Sequence, residues 1–100
     1  VKGVTLEKDG VALFPDAPTI RGVKHVNELI KAKEEGFDAY ILFVIQLSEV
    51  KYFSPNTEMH PEFSEALKKA EESGVKILAF ECNVTPDSLE ITDPVKINLT

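Results

Sequence analysis

Apolar positions along this chain follow two spacings, and the switches between them divide it into elements. Val1–Leu6 and Val11–Phe14 are short β-type runs separated by Glu7-Lys8-Asp9-Gly10. An Asp-Gly pair between apolar runs predicts a hairpin, because both residues tolerate positive φ. Phe14-Pro15-Asp16-Ala17-Pro18 cannot pair regularly, since each proline lacks a backbone donor. From Thr19 or Ile20 to Glu35 the spacing becomes helical. Val23, Val26 and Ile30 share one face, while Arg21, Lys24, His25 and Glu28 form a polar stripe opposite. Thr19 suits the N-cap, and Gly36 suits a left-handed cap at the other end.

Ala39–Gln46 is almost unbroken in apolar character, which predicts a central strand covered on both faces. Residues 47–59 are polar and predict a loop with a short piece of strand near Lys51–Phe53. A second helix starts at Pro61, ends before Gly74, and turns Phe63, Ala66, Leu67 and Ala70 inward. Val75–Cys82 is a further buried strand, and Cys82 and Met59 are expected in or near the core. Leu89–Ile91 and Lys96–Leu99, on either side of Asp93-Pro94, predict an edge hairpin. The order β-β-α-β-α-β-(β-β) predicts one α/β domain: a mixed sheet with parallel central strands, flanked by two main helices.

Composition narrows the function classes. One hundred residues suit a single domain, and 43% hydrophobic residues exclude a disordered chain. The longest apolar run, Ala39–Ile45, falls far short of the roughly 18 residues of a membrane span. No membrane partner is therefore expected. A lone cysteine forms no internal disulfide, and no targeting pattern is present, which together predict a cytoplasmic protein. The start at Val1, on a strand-like run without methionine, predicts a cut from something longer.

The net charge of −6 argues against a surface coated for gripping a polyanion, but it is unevenly spread. Residues 1–33 carry six cations (Lys2, Lys8, Arg21, Lys24, Lys31, Lys33) against four anions; the remainder carries five against thirteen. An anionic ligand is to be sought in the first third. Glycine-rich phosphate loops, zinc-helix motifs and serine-hydrolase elbows are missing, and His25 and His60 are isolated. No metal site built by this chain alone is expected. What remains is the segment from Lys2 to Glu28. It holds a lysine near the start of a strand, a Pro-Asp loop with Asp16, and a helix start at Thr19 that exposes Arg21, Lys24 and His25. Free N–H groups and the helix dipole add to those cations and favour phosphate or carboxylate. The plainer alternative is that Asp16 and Thr19 only cap the helix while its cations pair with Glu28 and Glu34.

The string Gly10-Val11-Ala12-Leu13-Phe14-Pro15-Asp16-Ala17-Pro18-Thr19, followed by Arg21-Gly22, Lys24-His25 and Glu28-Leu29, resembles the sugar fermentation stimulation protein A family. The likeness continues through Gly36, Gln46, Phe53-Ser54-Pro55 and Gly74-Val75-Lys76-Ile77-Leu78-Ala79. It implies a restriction-endonuclease-like fold, of which residues 1–100 are the C-terminal part, after an N-terminal OB-like domain. It also implies DNA binding linked to regulation of sugar utilisation. The family's PD-(D/E)xK arrangement uses two carboxylates to hold Mg²⁺ and a lysine to steady phosphate charge. Lys2 matches that lysine; the Glu would stand just before residue 1 and the Asp farther upstream. The resemblance thus implies Lys2 as a catalytic residue and Arg21, Lys24 and His25 as DNA contacts, with Asp16 and Thr19 in the adjoining loop. No cofactor is expected in this chain, and Mg²⁺, hydrolysis and oligomer formation stay open for the intact protein. The other reading open to these residues is a domain that binds a small anionic metabolite or another protein.

Overall fold

A computed structural model describes residues 1–47 and 49–99, so the predicted loop over 47–59 is described apart from Ser48. The strands are β1 (Lys2–Val4), β2 (Leu6–Lys8), β3 (Val11–Phe14), β4 (Tyr40–Ile45), β5 (Tyr52–Pro55), β6 (Lys76–Val84) and β7 (Leu89–Pro94). Helix α1 spans Ile20–Glu34 and α2 spans Pro61–Glu72. The fold is mixed α/β with two helices, as expected, but the strands form two sheets instead of one. One sheet has the order β1-β4-β6-β7, with β4 parallel to both neighbours and β7 antiparallel at the edge. The other has the order β2-β3-β5, antiparallel and then parallel.

The run read as one strand over Val1–Leu6 is where the sheets part. Asp9 and Gly10 both take positive φ (54° and 83°), closing the predicted turn and pairing Lys8 with Val11. That hairpin commits Leu6–Lys8 to β3, whereas Lys2–Val4 pairs in parallel with Phe43–Ile45 across the gap at Thr5. The predicted hairpin at the tail is also corrected. β7 turns back on β6 through Thr85–Ser88, where Thr85 N–H donates to the Ser88 carbonyl at 2.8 Å. Beyond Pro94 the chain crosses to the small sheet instead. Val95 is buried, and Ile97 bridges Phe53, with Phe53 N–H donating to the Lys96 carbonyl at 2.8 Å. Pro94 has no donor to extend the ladder, and the two apolar residues gain more by covering the core.

Both helices form as their spacing predicts. The Thr19 hydroxyl accepts from Gly22 N–H at 2.9 Å to cap α1, and Gly36 takes a φ of 97° just beyond its end. Because β4 and β6 follow β1 in a single direction across the sheet, crossovers of one hand put both helices on one face. There α1 and α2 touch and share a core with the strands. Val26 and Ile30 of α1 and Phe63, Leu67 and Ala70 of α2 pack against Val4, Ile41, Phe43, Ile45 and Ala79. Phe43 stacks on Phe53 at 4.3 Å between ring centroids, and Phe14 meets Phe43 and Phe63 at 5.6 and 5.3 Å. Cys82 is buried as expected; Met59 is 41% exposed, a correction to its expected place.

Truncating the fully buried Phe43 to alanine removes ring contacts on two sides and should cost about 3–5 kcal/mol in urea unfolding. Ile20→Ala, at a position 85% exposed, should change stability by less than about 0.5 kcal/mol in the same assay.

Candidate anion-binding cleft

Lys2 lies in the core-facing register of β1, opposite Phe43, and its ammonium sits 6.0 Å from the centre of the Phe14 ring. Burial of that ammonium, and then the Arg21 guanidinium beside it, lower the Lys2 pKa from its ordinary 10.5. Neither cation has a salt-bridge partner among the described residues. A helix start ordinarily favours acidic side chains, because its exposed N–H groups carry positive charge. The first turn of α1 has no acid and does have Arg21, whereas α2 carries Glu62 in the equivalent turn. Positive charge is thus gathered where folding alone would disperse it.

A cleft of about 390 Å³ opens between β1, the start of β4 and α1. Lys2, His25, Glu28 and Tyr40 are its polar lining residues, while Val26, Leu29 and Ile41 line its apolar side. The predicted residues therefore separate into groups. Lys2 and His25 share the cleft, and Arg21 lies close enough to Lys2 to act on its charge. Lys24 is turned away and lines a shallower groove with Ile20, Asn27 and Lys31. Thr19 caps α1, and Asp16 is exposed in the preceding turn without lining the cleft. The alternative pairing of Arg21 and Lys24 with Glu28 and Glu34 is absent among the described residues.

Sequence reasoning missed what fixes the start of α1. His60, 8% exposed, stands at the N-cap of α2, and its Nδ1 accepts the Thr19 backbone N–H at 3.1 Å. Its Nε2 meets the Glu62 carboxylate at 2.9 Å, so the ring nitrogen that carries the proton is Nε2. Asn56 ties down the same connection: its side-chain amide donates to the Pro15 carbonyl at 3.0 Å, and its N–H to the Phe14 carbonyl at 2.8 Å. A histidine directly before a helix-starting proline marks a cap position in sequence. Nothing local reveals that its partner lies 41 residues away.

The sugar fermentation stimulation protein RE domain matches residues 1–88. The chain belongs to that family. Over 99 residues it is 56% identical to a sugar fermentation stimulation protein homolog of Desulfitobacterium hafniense and 57% identical to one of Clostridium beijerinckii. Those residues are 99% of this chain but only 43% and 44% of the two relatives. A solved structure described as Pyrococcus furiosus SfsA in complex with Ca²⁺ superposes with a TM-score of 0.88 at 32% identity. It covers 97% of this chain, which in turn covers 42% of that one. The chain thus spans less than half the length of these family members. No described helix is long and apolar enough to cross a membrane.

Because its folded-state pKa is lowered, Lys2 binds fewer protons folded than unfolded as pH approaches 10.5, and stability should rise with pH there. Urea unfolding between pH 7 and 10.5 should show this rise, with Lys2→Met reducing it and gaining stability at pH 7. Arg21→Gln should shrink the same rise by removing the neighbouring charge. Separately, His60→Ala leaves the Thr19 N–H without its partner and should cost about 1–3 kcal/mol in the same measurement.

Proposed function

We propose that this chain supplies the phosphate-facing part of a DNA-binding protein with a restriction-endonuclease-like fold, linked to regulation of sugar utilisation. The observation that carries the reading is Lys2 on the cleft, with the Arg21 guanidinium near enough to lower its pKa, at a helix start that has no acidic residue and with neither cation in an ion pair among the described residues. Two like charges kept close and partly desolvated raise the energy of the free protein. A phosphate placed between them relieves that cost and gains the helix dipole as well. Lys2 and Arg21 then hold one phosphate, His25 borders it across the cleft, and Lys24 follows the strand farther along α1. In this reading the protein is cytoplasmic. Residues 1–100 are the C-terminal part of the nuclease-like domain, and an OB-like domain belongs to the rest of the full-length protein.

Hydrolysis is a narrower matter. Among the described residues no three His, Cys, Asp or Glu side chains gather where they would hold a metal ion. Asp16 lies off the cleft, and Glu28 is the single carboxylate on it. These residues do not fit a Mg²⁺ site by themselves, so any carboxylate pair must come from outside this chain. The Pyrococcus furiosus relative is described with Ca²⁺, which supports testing divalent ions on a full-length family member. Lys2 is placed as electrostatic stabiliser, and no metal-dependent step is assigned to it. The alternative, a small anionic metabolite, draws support from the apolar side of the cleft and its volume of about 390 Å³.

In a full-length member carrying this sequence, duplex DNA affinity should fall steeply with salt. Arg21→Ala and Lys24→Ala should each reduce the slope of log K against log salt by about 1. Unchanged slopes in both variants would remove the DNA assignment, and tight binding of a small phosphorylated ligand with weak salt dependence would favour the metabolite. Parallel incubations with Mg²⁺, Mn²⁺ and chelator separate cleavage from binding.

A further inference from the structure

The start of α1 is held through a side chain that can change charge. His60 is buried, and both of its ring nitrogens are engaged. Nδ1 accepts the Thr19 backbone N–H at 3.1 Å, and Nε2 meets the Glu62 carboxylate at 2.9 Å. An N–H directed at Nδ1 needs a lone pair there, so this arrangement belongs to the neutral ring. Imidazole is the side chain that ordinarily takes up a second proton between about pH 8 and 5. That proton would stand on Nδ1, donor against donor, and the bond to Thr19 would be lost. Glu62 acts in the other direction, since its carboxylate favours the charged ring. It is itself exposed, so a charged ring can turn toward solvent and keep that partner. The positive end of α2, where His60 stands at the N-cap, also opposes a charged ring in its present place. Asp16, Arg21, Lys24, Glu58 and Glu65, on the elements around the ring, are exposed, and none is in an ion pair with it.

We propose that His60 makes the phosphate site at the start of α1 sensitive to pH. In its neutral form it holds Thr19 and presents Arg21 beside Lys2; protonated, it releases Thr19 and weakens the hold on phosphate. Thr19 links the ring to the site, because its hydroxyl accepts from Gly22 N–H at 2.9 Å and Arg21 lies inside the turn that this cap closes. The release is local. Asn56 keeps its bonds to the Phe14 and Pro15 carbonyls, and neither involves a group that titrates. His60 touches no phosphate and acts as a positioning residue. The inference rests on the reading of this site as a DNA contact and adds its regulation.

The test compares duplex DNA affinity of a full-length member carrying this sequence with that of its His60→Asn variant, from pH 8 to pH 5 at fixed salt. The asparagine amide oxygen, one bond from Cγ as Nδ1 is, can accept the Thr19 N–H and does not titrate. Protonation of His25 on the cleft affects both proteins alike and cancels from the ratio. Wild-type affinity relative to the variant should fall about three- to tenfold on acidification, the worth of one hydrogen bond. In the free proteins, the Thr19 amide resonance should move with pH in the wild type and stay fixed in the variant. Glu62→Gln should shift both transitions to lower pH, because it removes the carboxylate that favours the charged ring. A constant affinity ratio between two proteins that both bind DNA with steep salt dependence overturns the switch and leaves the DNA contact standing. A wild-type Thr19 resonance that ignores pH also overturns it, and needs no variant to fold. Absence of DNA binding by the wild type at pH 8 removes the DNA reading itself, and the regulation with it.

Discussion

Phe43 of the large sheet stacks on Phe53 of the small one and also meets Phe14 of the small one, and these ring contacts help make the two sheets one body. Phe14 and Phe63 extend the stack toward the small sheet's connection to α1 and toward α2. Aromatic contacts of this kind combine large burial with a preferred geometry, so they fix orientation as well as distance. Gly22 shows how closely α1 is set against them. A Cβ there would lie 2.8 Å from Thr19 side-chain atoms and 3.2 Å from the Phe63 ring. The start of α1, and with it Arg21, is positioned by packing before any ligand arrives.

That arrangement explains how a protein with a net charge of −6 can present a cationic site. Charge is organised locally. His60 and Asn56 anchor the turn before α1, Lys2 rises from β1 beside Phe14, and Arg21 follows from the first helical turn. None of these anchoring bonds uses the cations themselves. The acidic residues of the later segments lie largely on solvent-exposed positions, among them Glu62, Glu65, Glu71 and Glu72 of α2 and Glu90 and Asp93 of β7. They can keep the remaining surface from competing for a polyanion.

Local patterns in the sequence carried the two helices, the Thr19 and Gly36 ends of α1, the Asp9-Gly10 turn and the two long strands. Each is decided by residues within a few positions of one another. The division at Thr5 was not legible, because three residues on either side are too few for alternation to assign a sheet. The tail departs from its local pattern because Lys96–Leu99 is strand-like in composition while Phe53, which bridges Ile97, is distant in sequence. Of the candidate site, Lys2, Arg21 and His25 were recognisable from charge and helical spacing together with family resemblance. Which cations face the cleft depended on the rotation of α1. The bond between Thr19 and His60 is not legible in sequence, since a buried histidine and an isolated one look alike until the fold joins Thr19 to it.

The parallel pairing of β1 with β4 has a consequence for how the polypeptide acquires its shape. Lys2 finds its place opposite Phe43, about forty residues later, and β4 must in turn await β6. On a ribosome the β2–β3 hairpin can close soon after it emerges, whereas β4, the described partner of β1, is made only after α1. The lysine of the cleft precedes its described sheet partner in the chain and pairs with it only once β4 is in place. Its seating therefore reports on completion of the large sheet.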